Sequence, residues 1–64
     1  MFDRDPLADD ARFVLENASL VGPVVRAACE KVIRTYPGHE SRSRVEPWVK
    51  RGVEKVKKRL EGGL

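Results

Sequence analysis

Residues 46–61, Glu46-Pro47-Trp48-Val49-Lys50-Arg51-Gly52-Val53-Glu54-Lys55-Val56-Lys57-Lys58-Arg59-Leu60-Glu61, decide the fold class of this chain. Val45, Val49, Val53, Val56 and Leu60 recur at the three- and four-residue spacing that gathers side chains on one face of an α-helix. From Val49 onward the steps alternate four and three, the spacing of a coiled-coil seam. Two heptads are too few for a coiled coil, but they suit a helix packed antiparallel on a neighbour or on its own copy. Pro47 disfavours helical geometry at Glu46, so it is placed in the first turn, although Ser43 with Glu46 also spells a capping box. Glu61-Gly62-Gly63 gives the usual stop. The expected third helix therefore spans about residues 46–61.

Two further helical segments lie upstream. Asp5 is positioned to cap the first, with Pro6 at its first position and Asp9 and Asp10 near the positive end of the helix dipole. Leu7, Ala11, Val14, Leu15 and Ala18 form its apolar stripe over about residues 5–18. Phe13 falls among Asp9, Glu16 and Asn17, on the polar side. The second helix, about residues 22–36, opens on Gly22-Pro23 and ends before Pro37-Gly38. Its apolar positions, Val24, Val25, Ala28, Cys29, Val32, Ile33 and Tyr36, cover roughly half the circumference, wider than the ~100° stripe of a surface helix. This predicts a central helix with partners on two sides. Arg26, Glu30 and Arg34 are spaced for ion pairs along its solvent face. The period is not two, so a strand over residues 20–25 is disfavoured despite the β-branched valines. Residues Pro37 to Arg44 read as a polar connector.

The prediction is an all-α, small three-helix domain of up-down type. Its 64 residues allow one domain, which buries only about 60% of its unfolded surface. A core of that size supplies roughly 3–5 kcal/mol without a staple. Cys29 is the only cysteine and His39 the only histidine, which leaves no disulfide and no zinc-ligand cluster. Self-association is the remaining route to more buried apolar area. A helical homodimer is therefore expected, with Phe13 and the wide face of the second helix at its interface.

Composition narrows the function classes. Charged residues make up 36% of the chain and no apolar run approaches the ~18 residues of a membrane span. Met1-Phe2-Asp3-Arg4-Asp5-Pro6 lacks the positive-then-apolar order of a secretory signal, and a lone cysteine fits a reducing compartment, so the expectation is cytoplasmic with no membrane partner. Residues 1–32 hold six acids and four bases, and residues 33–64 four acids and nine bases. An acidic first half and a basic second half can attract each other within one fold or across two copies, or leave the basic half to an acidic partner.

No catalytic constellation is legible. His39 neighbours Glu40 and Ser41 in a connector, and neighbours in sequence need not face each other; nucleophile, base and orienter usually come from separate elements. Cys29 on an apolar face is a packing residue. No glycine-rich phosphate loop is present, and no cofactor is implied. A helix-turn-helix about Ser19–Gly22 would make the second helix the reader of DNA, yet it offers only Arg26, Lys31 and Arg34 outward.

The candidate site is the third helix. Lys50 with Glu54, Glu54 with Lys58 and Lys57 with Glu61 are spaced for compensation. Arg51, Lys55 and Arg59 stack at i+4 with no acid in the row, and Trp48 lies beside them. Cations near a helix C-terminus are favoured by the dipole, which is one sufficient reason for the row. Trp48 is expected to close the core edge with its N–H at the surface. The functional reading is a non-catalytic interaction module that binds a protein partner or itself through an apolar helix face and this basic helix. The alternative is a small nucleic-acid-binding protein using Arg51, Lys55 and Arg59 on phosphates. Partner-binding residues are thus Phe13, Trp48, Arg51, Lys55 and Arg59. Glu54 and Glu61, interleaved with the cations, favour the protein partner.

Overall fold

The first helix begins where the capping signals place it. In the computed structural model, which describes residues 5–62, α1 spans Pro6–Glu16. The Asp5 carboxylate accepts the Ala8 amide at 3.3 Å and Pro6 sits at the first position. At the other end the Asn17 side-chain amide donates to the Phe13 carbonyl at 2.9 Å, meeting an acceptor that the helix leaves unbonded. A short 3₁₀ turn, Ala18–Leu20, leads to α2, Pro23–Arg34, whose cap is Gly22 in an extended conformation. Thr35 closes α2 by donating both its amide and its hydroxyl to Lys31 and Val32 carbonyls. The chain then turns at Gly38, whose φ of +91° favours glycine. The fold is all-α with three helices, and the described residues contain no strand.

The third helix departs from expectation. α3 runs Glu40–Gly62, starting six residues before Glu46, and Pro47 lies inside it. An interior proline forfeits the bond to the carbonyl four residues back and costs about 3 kcal/mol. Ser43 and Pro47 are both exposed, so the orphaned carbonyl is on the solvent side. What carries the helix backward through this position is the connector itself. His39 Nδ1 accepts the Ser41 amide at 3.0 Å, capping the first turn. Arg42 then inserts its side chain into the bundle, where the residue is only 7% exposed.

Arg42 is the only buried charged residue among those described, and each of its three side-chain nitrogens has a hydrogen-bond partner. One terminal nitrogen donates to the Val32 carbonyl at 2.8 Å and the Thr35 carbonyl at 2.9 Å, at the C-terminal end of α2. The other donates to Asp5 Oδ1 at 3.0 Å, while Asp5 Oδ2 lies 2.9 Å from the first. Nε reaches Thr35 Oγ1 at 3.3 Å. A cation therefore meets the negative end of α2 and the capping anion of α1 from the first turn of α3.

The core is built from small side chains. Ala8, Ala11 and Val14 of α1, Ala28, Cys29 and Val32 of α2, and Val49 and Val56 of α3 are buried. α2 packs on both α1 and α3, as its wide apolar face predicted, and α1 and α3 also pack on each other. Part of that face is instead in solvent: Val24 and Ile33 are exposed, and Tyr36 lies beyond the helix with its ring edge on His39. Phe13, expected on the polar side, is half-buried and packs against the core. Burial raises the Cys29 thiol above its ordinary value, with Glu30 adding to the effect, consistent with a packing role.

At Gly52 the α3 backbone packs directly against side chains of both α1 and α2. A Cβ there would lie 2.6 Å from Val25 Cγ1 and 3.1–3.2 Å from the methyls of Val14. Gly→Ala in an exposed helix gains about 1 kcal/mol. At this crossing, against stiff β-branched neighbours, Gly52→Ala should instead lose about 1–3 kcal/mol in urea unfolding. A stabilised variant would show that the helices have room to separate.

The Arg42 hydrogen bond holds the Asp5 carboxyl below the ordinary aspartate value of 3.8, helped by the Ala8 amide and opposed by partial burial. A carboxyl with a depressed folded value stabilises fully above its unfolded value and loses that contribution as pH falls through the folded one. Urea midpoints measured downward from pH 5 should therefore fall most steeply below about pH 4, and Asp5→Asn should flatten that limb. An unchanged limb in Asp5→Asn would assign acid sensitivity to other carboxylates.

Candidate interaction surface

α3 is 23 residues long, about twice the length of α1 or α2, and a helix of that size spans roughly 34 Å. The molecule measures 39 × 27 × 15 Å. Core burial on α3 ends at Val56, and residues 57–62 are exposed throughout, including Leu60 at the end of the valine stripe. The inward side of the helix is set by Arg42, Val49, Gly52 and Val56. Its outward side is then fixed by the 100° step per residue.

Of the five residues singled out from sequence, Arg51 and Lys55 fall on that outward side, Trp48 lies at its margin, about 40° round the helix from Gly52, and Arg59 is exposed because it lies past the end of the core. Trp48 is 40% exposed and lies at the margin of the packed side of α3. The Arg51 guanidinium carbon lies 5.4 Å from its ring centroid, a cation–π contact. Arg51, Lys55 and Lys58, with Glu54, line one shallow depression; Lys55, Lys58 and Arg59, with Gly62, line the next. The row Arg51, Lys55, Arg59 is thus continuous and joined by Lys58. Phe13 belongs elsewhere, on α1 against the core, and does not meet the ridge.

Two ridge residues lie outside the set read from sequence: Lys58, whose spacing assigned it to Glu54, and Arg44. Because α3 already contains residues 40–46, Arg44 stands four residues before Trp48 and seven before Arg51 on the same side of the helix, and it is exposed. Reading Pro47 as a helix start placed Arg44 in a loop and hid this. The anticipated ion pairs are also revised. Among the described residues Lys50 pairs backward with Glu46 at 3.8 Å and Arg12 with Asp9 at 3.6 Å, and no pair joins 50 with 54, 54 with 58, 57 with 61, or 26, 30 and 34. Exposed pairs contribute so little that side-chain entropy readily leaves them open. None of Arg44, Arg51, Lys55, Lys58 and Arg59 forms an ion pair with a described acid.

His39 and Ser41 do face each other, which their neighbouring positions did not guarantee. Ser41 Oγ is 2.7 Å from His39 Nδ1. The same nitrogen accepts the Ser41 amide, so it carries a lone pair directed at the helix start, and the pair serves as a cap. No grouping of His, Cys, Asp and Glu among the described residues has the geometry to hold a metal ion, and no described helix is long and apolar enough to cross a membrane. Comparison of the chain with protein-family models, curated proteins and solved structures finds no match.

A second exposed apolar feature lies between α1 and α2. Ile33 is 39% exposed and sits over half-buried Leu15, bordered by Arg12, Glu16, Glu30 and Arg34. It is shallow and its charged border is balanced in sign.

Proposed function

We propose that this chain is a non-catalytic, cytoplasmic interaction module that docks an acidic protein partner along the outward side of α3. The observation that carries the reading is Trp48: a large aromatic standing outside the core in a small protein, its ring against Arg51 and its flanks lined by cations. Exposed tryptophan and arginine are the side chains that most often dominate protein interfaces. Lys55, Lys58 and Arg59 extend the positive potential past the bundle, where a partner approaches without disturbing the core.

Two other readings rest on particular observations. The unpaired row of cations also suits phosphates, which is the nucleic-acid alternative; Glu54, in the same depression as Arg51, Lys55 and Lys58, weighs against a phosphate chain lying there. Self-association rests now on Ile33 and Leu15 rather than on Phe13, since Phe13 is engaged by the core.

The test is a titration of the full chain followed by Trp48 emission, because Trp48 is the only tryptophan. An acidic peptide containing leucine should bind at ~0.15 M salt, where exposed charges are screened beyond about 8 Å. Trp48→Ala, followed by peptide anisotropy, should abolish most of that binding. Random-sequence duplex should bind weakly. Tight duplex binding whose log K falls by roughly 0.7–0.9 per log unit of salt for each phosphate, lost when Arg51, Lys55 and Arg59 become Gln, would install the nucleic-acid reading instead. Light scattering on the same samples separates a monomer of 7.2 kDa from the dimer.

A further inference from the structure

Arg44, Trp48, Arg51, Lys55 and Lys58 follow one another at steps of four, three, four and three along α3. On an α-helix this spacing draws a nearly straight row, here about 21 Å long. The row exists only because α3 begins at Glu40 and so brings Arg44 into line. We infer that the partner of this surface is an acidic α-helix lying along α3, with carboxylates at the same four-and-three spacing and an apolar side chain against Trp48. This inference rests on the protein-docking reading above and names the shape of the partner within it.

The argument is one of repeat distance. Successive members of the row are separated by 3.5 residues on average, or about 5.3 Å along the axis. A second helix with acids at matching spacing has the same repeat and keeps every charge in register along the row. An extended segment presents same-side residues every 6.4–6.8 Å or so, and over four steps it slips by about 5 Å, a whole row position. The surroundings agree with a helical occupant. Described acids are missing from the row itself, and Glu54 borders it on one side only, where a partner's basic flank can meet it. A second copy of this chain would present the same row of cations and is repelled; its acidic helix α1 has Arg12 among Asp9, Asp10 and Glu16, which breaks any matching row.

The inference is tested with two tryptophan-free peptides of identical composition. One carries glutamates at four-and-three spacing with a single leucine placed opposite Trp48; the other alternates glutamate at every second residue. Each is titrated into the full chain at ~0.15 M salt while Trp48 emission and far-UV circular dichroism are followed. The heptad peptide should bind, gain helicity on mixing and shift Trp48 emission. Arg44→Gln should weaken it by about two- to five-fold, as for one exposed ion pair, with an unchanged melting curve. Equal binding of the alternating peptide, no gain in helicity, or an indifferent Arg44→Gln variant overturns the helical partner and leaves the docking surface standing. Failure of both peptides overturns the docking surface as well. Self-association of the chain that blocks either peptide assigns the row to a copy and overturns the inference equally.

Discussion

One buried guanidinium sets the relation of the three helices. Arg42 leaves the first turn of α3, bonds the last carbonyls of α2 and holds the capping carboxylate of α1. A buried charge is tolerated only where it is paired and its donors are met, and among the described residues no buried side-chain polar atom is left without a partner. The arrangement serves both helix dipoles, an anion at the start of α1 and a cation at the end of α2. It is also directional, because a planar fork of donors fixes angles as well as distances. Alanines and valines, which make up nearly all of the core, supply contact area without that directional information.

The consequences run along α3. Anchored at Arg42, the helix continues through Pro47 despite the lost backbone bond and passes between α1 and α2 at Gly52, where only a hydrogen fits. Beyond Val56 it is free of the core. The inward side is thus committed to packing by Arg42, Val49, Gly52 and Val56, the outward side carries Arg44, Arg51, Lys55 and Lys58, Trp48 stands at the margin between them, and Arg59 lies past the end of the core. Stability and recognition occupy adjoining arcs of one helix, meeting between Gly52 and Trp48. Substitution of an exposed ridge cation should therefore leave the bundle intact, whereas a change at Arg42 or Gly52 disturbs contacts that join α3 to the other helices.

The elements whose signals are local were legible in the sequence. Asp5-Pro6 and Gly22-Pro23 start α1 and α2, and the valine period gives the inward side of α3. Interactions between distant residues were not. Asp5 and Arg42 are separated by 37 positions, and nothing in the run His-Glu-Ser-Arg distinguishes a buried arginine from a solvated one. Pro47 carries a true local preference against helix that tertiary bonding overrides. Phe13 sits on the polar arc of an ideal helical wheel, yet a long aromatic side chain reaches sideways to the core. Trp48, Arg51, Lys55 and Arg59 were legible from their spacing, Lys58 was hidden by its spacing to Glu54, and Arg44 was hidden by the misplaced helix start.

The central claim is that the Asp5–Arg42 bond, and not apolar packing alone, holds α1, α2 and α3 together. A double-mutant cycle with Asp5→Ala and Arg42→Met measures it directly, with unfolding followed in urea and an osmolyte such as trimethylamine oxide added to keep the variants folded. Loss of the Asp5 cap enters both arms of the cycle and cancels. The account predicts that the two substitutions together cost less than the sum of their separate costs by about 1–3 kcal/mol. Additivity within about 0.5 kcal/mol would show that the two side chains act independently, and would contradict it.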